Sequence, residues 1–163
     1  MKSVARLCFG LIALCVLYAS SAHSAQLATA KALTLEVAKQ ISAAAEAEAA
    51  KNQWTVVIAI VDAGGHLIHL VKIDGTQYGS IDVAIQKAQT SIAFKRPTKA
   101  FEEAIAGGRT AILGVKGALP LEGGLPIVVD GETIGAIGVS GMKSTEDAQV
   151  AKAGVDALTT ILK

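Results

Sequence analysis

The sequence predicts a single α/β domain of the α+β kind, a central antiparallel sheet flanked by helices in the order α-β-β-α-α-β-β-α. Three observations predict it. Two β-branched apolar runs, Trp54–Val61 and Leu125–Asp130, each lead into a tight-turn signal and a returning run. Segments with apolar residues at helical spacing precede, separate and follow these two hairpins. A chain of 163 residues, 52% hydrophobic, also has the length of one domain and too much apolar content for disorder.

The first helix is expected from about Leu33 to Lys51. Thr34 is its cap, and Leu35, Ala38, Ile41, Ala45 and Ala49 form its buried stripe. Its alanines and glutamates have high helix propensity. Trp54–Val61 is apolar at successive positions, which suits a central strand covered on both faces. Asp62-Ala63-Gly64-Gly65 turns the chain, and His66–Ile73 returns. After a loop at Gly75–Gly79, Ser80 opens a second helix to Phe94, with Ile81, Ala84, Ile85, Ala88 and Ile92 on one face. Pro97 halts it, Thr98 is placed to cap a short third helix through Ala106, and Gly107-Gly108 ends that. Arg109–Gly124 is expected to be an extended loop with one short strand. Asp130-Gly131 is a hairpin turn, Glu132–Ser140 the strand that follows. A last helix runs from Thr145, capped by Ser144, to Leu162, with Ala148, Ala151, Val155, Leu158 and Leu162 inward.

Residues 1–25 have a different composition from the rest. A basic start at Lys2, the apolar run from Val4 and small residues ending at Ala22 or Ala25 read as a secretory signal peptide, leaving 26–163 as the domain. Export to a periplasmic or extracellular location is expected. Removal of Lys2 and Arg6 lowers the formal net charge of +1 by two, to −1, and both cysteines, Cys8 and Cys15, leave as well. Thiol chemistry and disulfides are thereby excluded from the mature domain. So is the charge excess of a general nucleic-acid binder, and no later segment is apolar for long enough to make a stable membrane span.

Few side chains remain to carry chemistry. His66 and His69 have H-x-x-H spacing, but on a strand residues three apart face opposite ways, which argues against joint chelation. Each alone is either an ordinary strand residue or a single metal ligand. Gly135, Gly138 and Gly141 lack the spacing of a dinucleotide fingerprint or a P-loop and are expected to serve packing. Phe94-Lys95-Arg96-Pro97-Thr98-Lys99 places three cations at a helix start, either a solvated basic turn or a seat for a carboxylate. Asp62, Asp74, Asp82 and Asp147 are explained by backbone hydrogen bonds at turns and helix starts. No catalytic triad is legible, and enzymatic activity does not follow from the residues.

Several phrases, in order, resemble the GlcG/HbpS-like family, also described as haem-degrading or DUF336 domains and as the C-terminal part of PduO-type adenosyltransferases. They are Val61-Asp-Ala-Gly-Gly-His-Leu67, Asp74-Gly75, Ser80-Ile-Asp82, Lys87-Ala-Gln-Thr90 and Phe94 with Arg96-Pro97-Thr98. Gly123-Gly124-Leu-Pro126-Ile, Ile134-Gly-Ala-Ile-Gly-Val-Ser-Gly141, Asp147 and Ala153-Gly154 follow. Lys72 departs from the family pattern, where arginine is common, and Ala148 stands where an acidic residue is frequent. The resemblance implies a compact domain in a homo-oligomer, with a haem or corrinoid as small-molecule ligand in several members. Applied to this chain, it implies reversible haem binding beside Phe94, with Lys95, Arg96 or Lys99 receiving propionates and Thr98 or His66 near the iron. The competing expectations are a non-haem module that binds a small carboxylate and an oligomeric scaffold without catalysis.

Overall fold

The computed structural model describes residues 26–163, so the signal-peptide expectation for residues 1–25 lies outside the described residues. Helix α1 (Leu35–Lys51) is followed by strands β1 (Val57–Asp62) and β2 (Leu67–Lys72), then helices α2 (Gly79–Phe94) and α3 (Lys99–Ala106). Strands β3 (Gly124–Val129) and β4 (Glu132–Ser140) come next, and helix α4 (Ser144–Asp156) and the single turn α5 (Leu158–Ile161) close the chain. The four strands form one antiparallel sheet in the order β2-β1-β4-β3. The two hairpins thus meet along β1 and β4, as the apolar character of β1 on both faces requires.

The faces of the sheet are packed differently. Ile58, Ile60, Ile127, Ile137 and Val139 face α1 and α4 with Ile41, Val150 and Leu158 in the larger core. On the other face Val57, Ala59, Val61 and Ala136 lie under α2 against Ala84, Ala88 and Ile92. Here glycines set the distance. Gly124 and Gly138 are cross-strand partners. A Cβ on Gly138 would sit 2.0 Å from the Ala84 carbonyl oxygen, and one on Gly124 would sit 2.4 Å from that of Lys87. The backbone of α2 therefore rests directly on the sheet, a close approach that only residues without a side chain permit.

Several boundaries and stripes differ from expectation. Thr34 does cap α1, its hydroxyl accepting the Val37 N–H at 3.3 Å, but Leu35 is exposed. Leu33 is buried instead and lies against Gly135, where a Cβ would meet its Cδ2 at 2.7 Å. The segment between α3 and β3 holds a 3-10 turn, Thr110–Gly114, in place of the expected short strand. The last helix breaks at Ala157, and Leu162 is exposed. Ala151 and Leu158 are buried as expected and Val155 packs against the core, but α4 also buries Asp147, Val150 and Gly154, which shifts its inward face from the expected stripe. Lys143, not Ser144, is its cap residue, with Glu146 accepting the Lys143 N–H at 3.1 Å.

Candidate functional site

Two neighbouring regions carry polar groups suited to a ligand. The first is the cationic corner between α2 and α3. Helix α2 ends at Lys95, which adopts the left-handed conformation (φ 50°) and is exposed. Arg96 folds back, its Nε donating to the Phe94 carbonyl at 3.3 Å and its guanidinium lying 5.7 Å from the centre of the Phe101 ring. Phe94 meets Phe101 edge-to-face at 5.0 Å. Lys99 pairs with Glu122 at 3.1 Å, and this contact pushes its ammonium above the ordinary value. Lys95 alone of the three cations has no hydrogen-bonded or ionic partner among the described residues.

Thr98 has a task that local sequence did not show. It is fully buried, and its hydroxyl makes no cap to α3. Its Oγ1 instead accepts the Gly124 N–H at 2.9 Å, while its own N–H donates to the Gly124 carbonyl at 3.0 Å. These two bonds fix the start of α3 to the start of β3. The capping expectation is therefore corrected: the hydroxyl oxygen accepts from a donor 26 residues away in sequence, the Gly124 N–H, instead of the local N–H groups.

The second region is a half-open cleft of about 370 Å³ across the exposed side of α2. One wall is the β1–β2 turn at Ala63, Gly64 and Gly65, and the opposite wall is the Gly117–Leu119 loop. Gln86, Gln89, Thr90, Ile92 and Ala93 of α2 lie between them. Among these lining residues none is charged. The turn owes its shape to Asp62, whose Oδ1 accepts the N–H groups of Gly64 at 2.8 Å and His66 at 2.9 Å. The His66 N–H is the main cause that holds this carboxyl below its ordinary range.

His66 immediately follows that wall, largely exposed, with Nδ1 at 3.4 Å from Asp62 Oδ1. It precedes β2 rather than belonging to it, and Ile68 is an extra residue where the β1–β2 register shifts. The alternation argument for His66 and His69 therefore fails across this bulge, since one inserted residue offsets the facing. His69 pairs with Ile60. No group of three His, Cys, Asp or Glu able to hold a metal ion occurs among the described residues.

Sequence reasoning missed a buried ion pair on the sheet-facing side of α2. Lys87 Nζ donates to Asp147 Oδ2 at 2.9 Å and to the Val139 carbonyl at 2.8 Å, and both side chains are almost completely buried. Asp147 Oδ1 accepts the Met142 N–H at 3.0 Å, the local bond expected of a helix start. Burial pushes its carboxyl above the ordinary range against the opposing effect of Lys87. The available signal was position: Lys87 lies one turn from Ala84 and Ser91 on the buried side of α2.

A haem asks for an axial donor and a slot with small walls. Exposed His66 offers an imidazole whose other nitrogen faces a carboxylate, the arrangement that orients metal-binding histidines. Ala63, Gly64, Gly65, Gly117 and Ala118 are small walls. His66 adjoins this wall without lining the cleft, and together these residues would suit the group, whereas Thr98, buried and bonded to Gly124, offers no free oxygen.

Comparison with known proteins places this geometry in a family. Residues 33–156 match the model described as haem degrading protein HbpS-like. Protein GlcG of Escherichia coli K12 is 44% identical over 108 residues, 66% of this chain and 81% of GlcG. A crystal structure of HbpS from Streptomyces reticuli, a double mutant, superposes with TM-score 0.75 at 29% identity, covering 96% of this chain and 99% of that one. The crystal structure of a PduOC:heme complex gives TM-score 0.71 at 27% identity over 78% of this chain and 95% of the other. With the family model matching most of its length, the chain belongs to the HbpS-like (DUF336) family.

Proposed function

We propose that this protein binds haem reversibly and serves in its scavenging or sensing after export. The observation that carries this reading is the likeness to the PduOC:heme complex over most of the chain. One edge of the macrocycle would enter the cleft across α2, whose roughly 370 Å³ falls in the range of small-molecule sites, roughly 300–1,000 Å³. His66 would approach the iron through Nε2 while Asp62 holds the ring. Lys95 and Arg96, which follow the last cleft-lining residues of α2, would meet propionates as charge-assisted partners. Lys99, committed to Glu122, takes a lesser part. The iron itself supplies ligand exchange and redox chemistry when bound. The chain supplies one exposed donor and an open slot, which suits exchange of the group better than permanent retention.

The same reading includes export, based on the sequence of residues 1–25, and a homo-oligomer. Edge strands β2 and β3 carry exposed Leu67 and Val128, apolar surface that a second copy would cover. Titration with hemin tests the central claim. A shifted Soret band is expected that His66→Ala removes and a charge reversal at Lys95 weakens; an unshifted spectrum at saturating protein refutes it. Mass measurement of the purified protein reports the number of subunits, and a monomer throughout would refute the oligomer.

A further inference from the structure

The two walls of the cleft are tied to α2 by adjacent side chains. Gln89 Nε2 donates to the Gly65 carbonyl of the turn at 3.1 Å. Thr90 Oγ1 donates to the Gly117 carbonyl at 3.0 Å and accepts the Leu119 N–H at 2.9 Å, so one hydroxyl closes on both sides of Ala118. Thr90 itself is about 1% exposed and is fixed by helix packing, whereas Lys116 and Gly117 are exposed. The backbone bonds of this loop are local, Ala118 to Val115 and Leu121 to Leu119. Its other hydrogen-bonded tethers to the body lie at Glu122, whose N–H donates to Glu102 and whose carboxylate accepts from Lys99, at the far end from Gly117. Among the described residues Thr90 therefore makes the only hydrogen bonds between the middle of this wall and the body of the domain.

We propose that Thr90 is a positioning residue, a latch that sets the width of the cleft by holding the Gly117–Leu119 wall, and thereby the affinity for the ligand. The geometry suits the role because both bonds use the same buried oxygen. A wall held by a rigid helix at one atom can swing outward when those bonds break, without unfolding the sheet. The affinity consequence rests on the haem reading; the latch does not. A preformed slot binds a rigid planar ligand more tightly than one that must be ordered on binding.

The test uses Thr90→Val, which keeps the volume and removes both bonds, and Thr90→Ser, which keeps the hydroxyl. Limited trypsin digestion reports the wall directly, since Lys116 precedes Gly117. Thr90→Val is expected to cleave after Lys116 about tenfold faster and to bind hemin about tenfold more weakly, the loss expected for two ordinary hydrogen bonds. Thr90→Ser restores both. Cleavage after Lys116 at the wild-type rate in folded Thr90→Val overturns the latch. Should that variant not fold, amide exchange in the wild type decides: a Leu119 N–H exchanging as fast as a free loop amide overturns it, and a protected one supports it. Cleavage that responds as expected in a protein that binds no hemin supports the latch and refutes the haem reading alone.

Discussion

Lys87→Met is the perturbation whose size the structure defines best. It keeps the aliphatic stem of a side chain that is 2% exposed and removes its ammonium, leaving the Asp147 carboxylate buried with one remaining donor, the Met142 N–H. The Val139 carbonyl loses its lysine donor in the same step. Breaking one side of such a pair costs about 3–5 kcal/mol, because the surviving charge is left without its counter-ion. Against a total stability of about 5–15 kcal/mol the variant is expected to fold but to melt early. With a urea m-value of about 2 kcal/mol/M the unfolding midpoint should fall by about 2 M. Adding Asp147→Asn keeps an acceptor for Met142 and removes the orphaned charge. The double variant should then recover stability, to a deficit of about 1–3 kcal/mol set mainly by the Val139 carbonyl. Acidification supplies a second signature. Burial already raises the folded value of Asp147, and loss of the lysine removes an effect that lowers it. A carboxyl raised on folding contributes stability below its unfolded value of about 3.8 and loses it as pH rises through the folded value. The deficit of Lys87→Met must therefore shrink as pH falls through that window. Urea titrations of the wild type, both single variants and the double variant measure this as a cycle. Single deficits that add to within about 0.5 kcal/mol, or a Lys87→Met cost below about 1 kcal/mol, would refute an ion pair that matters through mutual neutralisation.

Gly138→Ala should cost at least about 1–3 kcal/mol in thermal or urea unfolding, since its Cβ would fall 2.0 Å from the Ala84 carbonyl oxygen and 2.5 Å from the Ala88 nitrogen, both backbone atoms. Thr98→Val removes the acceptor of the buried Gly124 N–H and is expected to cost about 1–3 kcal/mol in stability while leaving the hemin Soret position unchanged. Asp62→Asn retains an acceptor but not the charge that strengthens the bonds to Gly64 and His66. Because the folded value of Asp62 lies below its ordinary 3.8, its contribution is present above that value and lost as pH falls through the folded one. Melting curves of the wild type and Asp62→Asn should accordingly differ at neutral pH and converge in acid; a difference that persists there would contradict the assignment.

The hairpins and the two long helices were legible because their signals are local. Asp62-Ala63-Gly64-Gly65 and Asp130-Gly131 each announce a turn, and Ala38, Ile41, Ala45 and Ala49 mark the buried side of α1 without help from the rest of the chain. What was not legible depends on partners distant in sequence. Asp147 was explained by one backbone bond, correctly, but its second oxygen receives Lys87 from 60 residues away. The inward side of the last helix was placed in part: Ala151 and Leu158 are buried as expected, but Asp147 and Gly154, which give no hydropathy signal, are buried too. At the site, the motif drew attention to Thr98, Lys95, Arg96 and Lys99 as one cationic cluster. Folding divides that cluster: Thr98 goes to β3, Lys99 to Glu122 and Arg96 onto Phe101. The cleft beside it escaped notice because its lining is mostly glycine, alanine and amide residues, which have no individual chemical signature.

That lining follows from how α2 is seated. Gly124 and Gly138 let the helix backbone touch the sheet, which brings its sides within reach of the β1–β2 turn and the Gly117–Leu119 loop. At that depth a short threonine hydroxyl reaches the Gly117–Leu119 loop on one side, and a glutamine amide reaches Gly65 on the other. A helix held further out by one methyl group would carry the same residues beyond hydrogen-bonding distance of these walls, because bonds of 2.9–3.1 Å leave little range before they fail. Gly124 and Gly138 therefore act on the cleft without lining it. Changes at Gly138 should disturb packing and cleft together, whereas a change at Thr90 should release one wall and leave the core as it was.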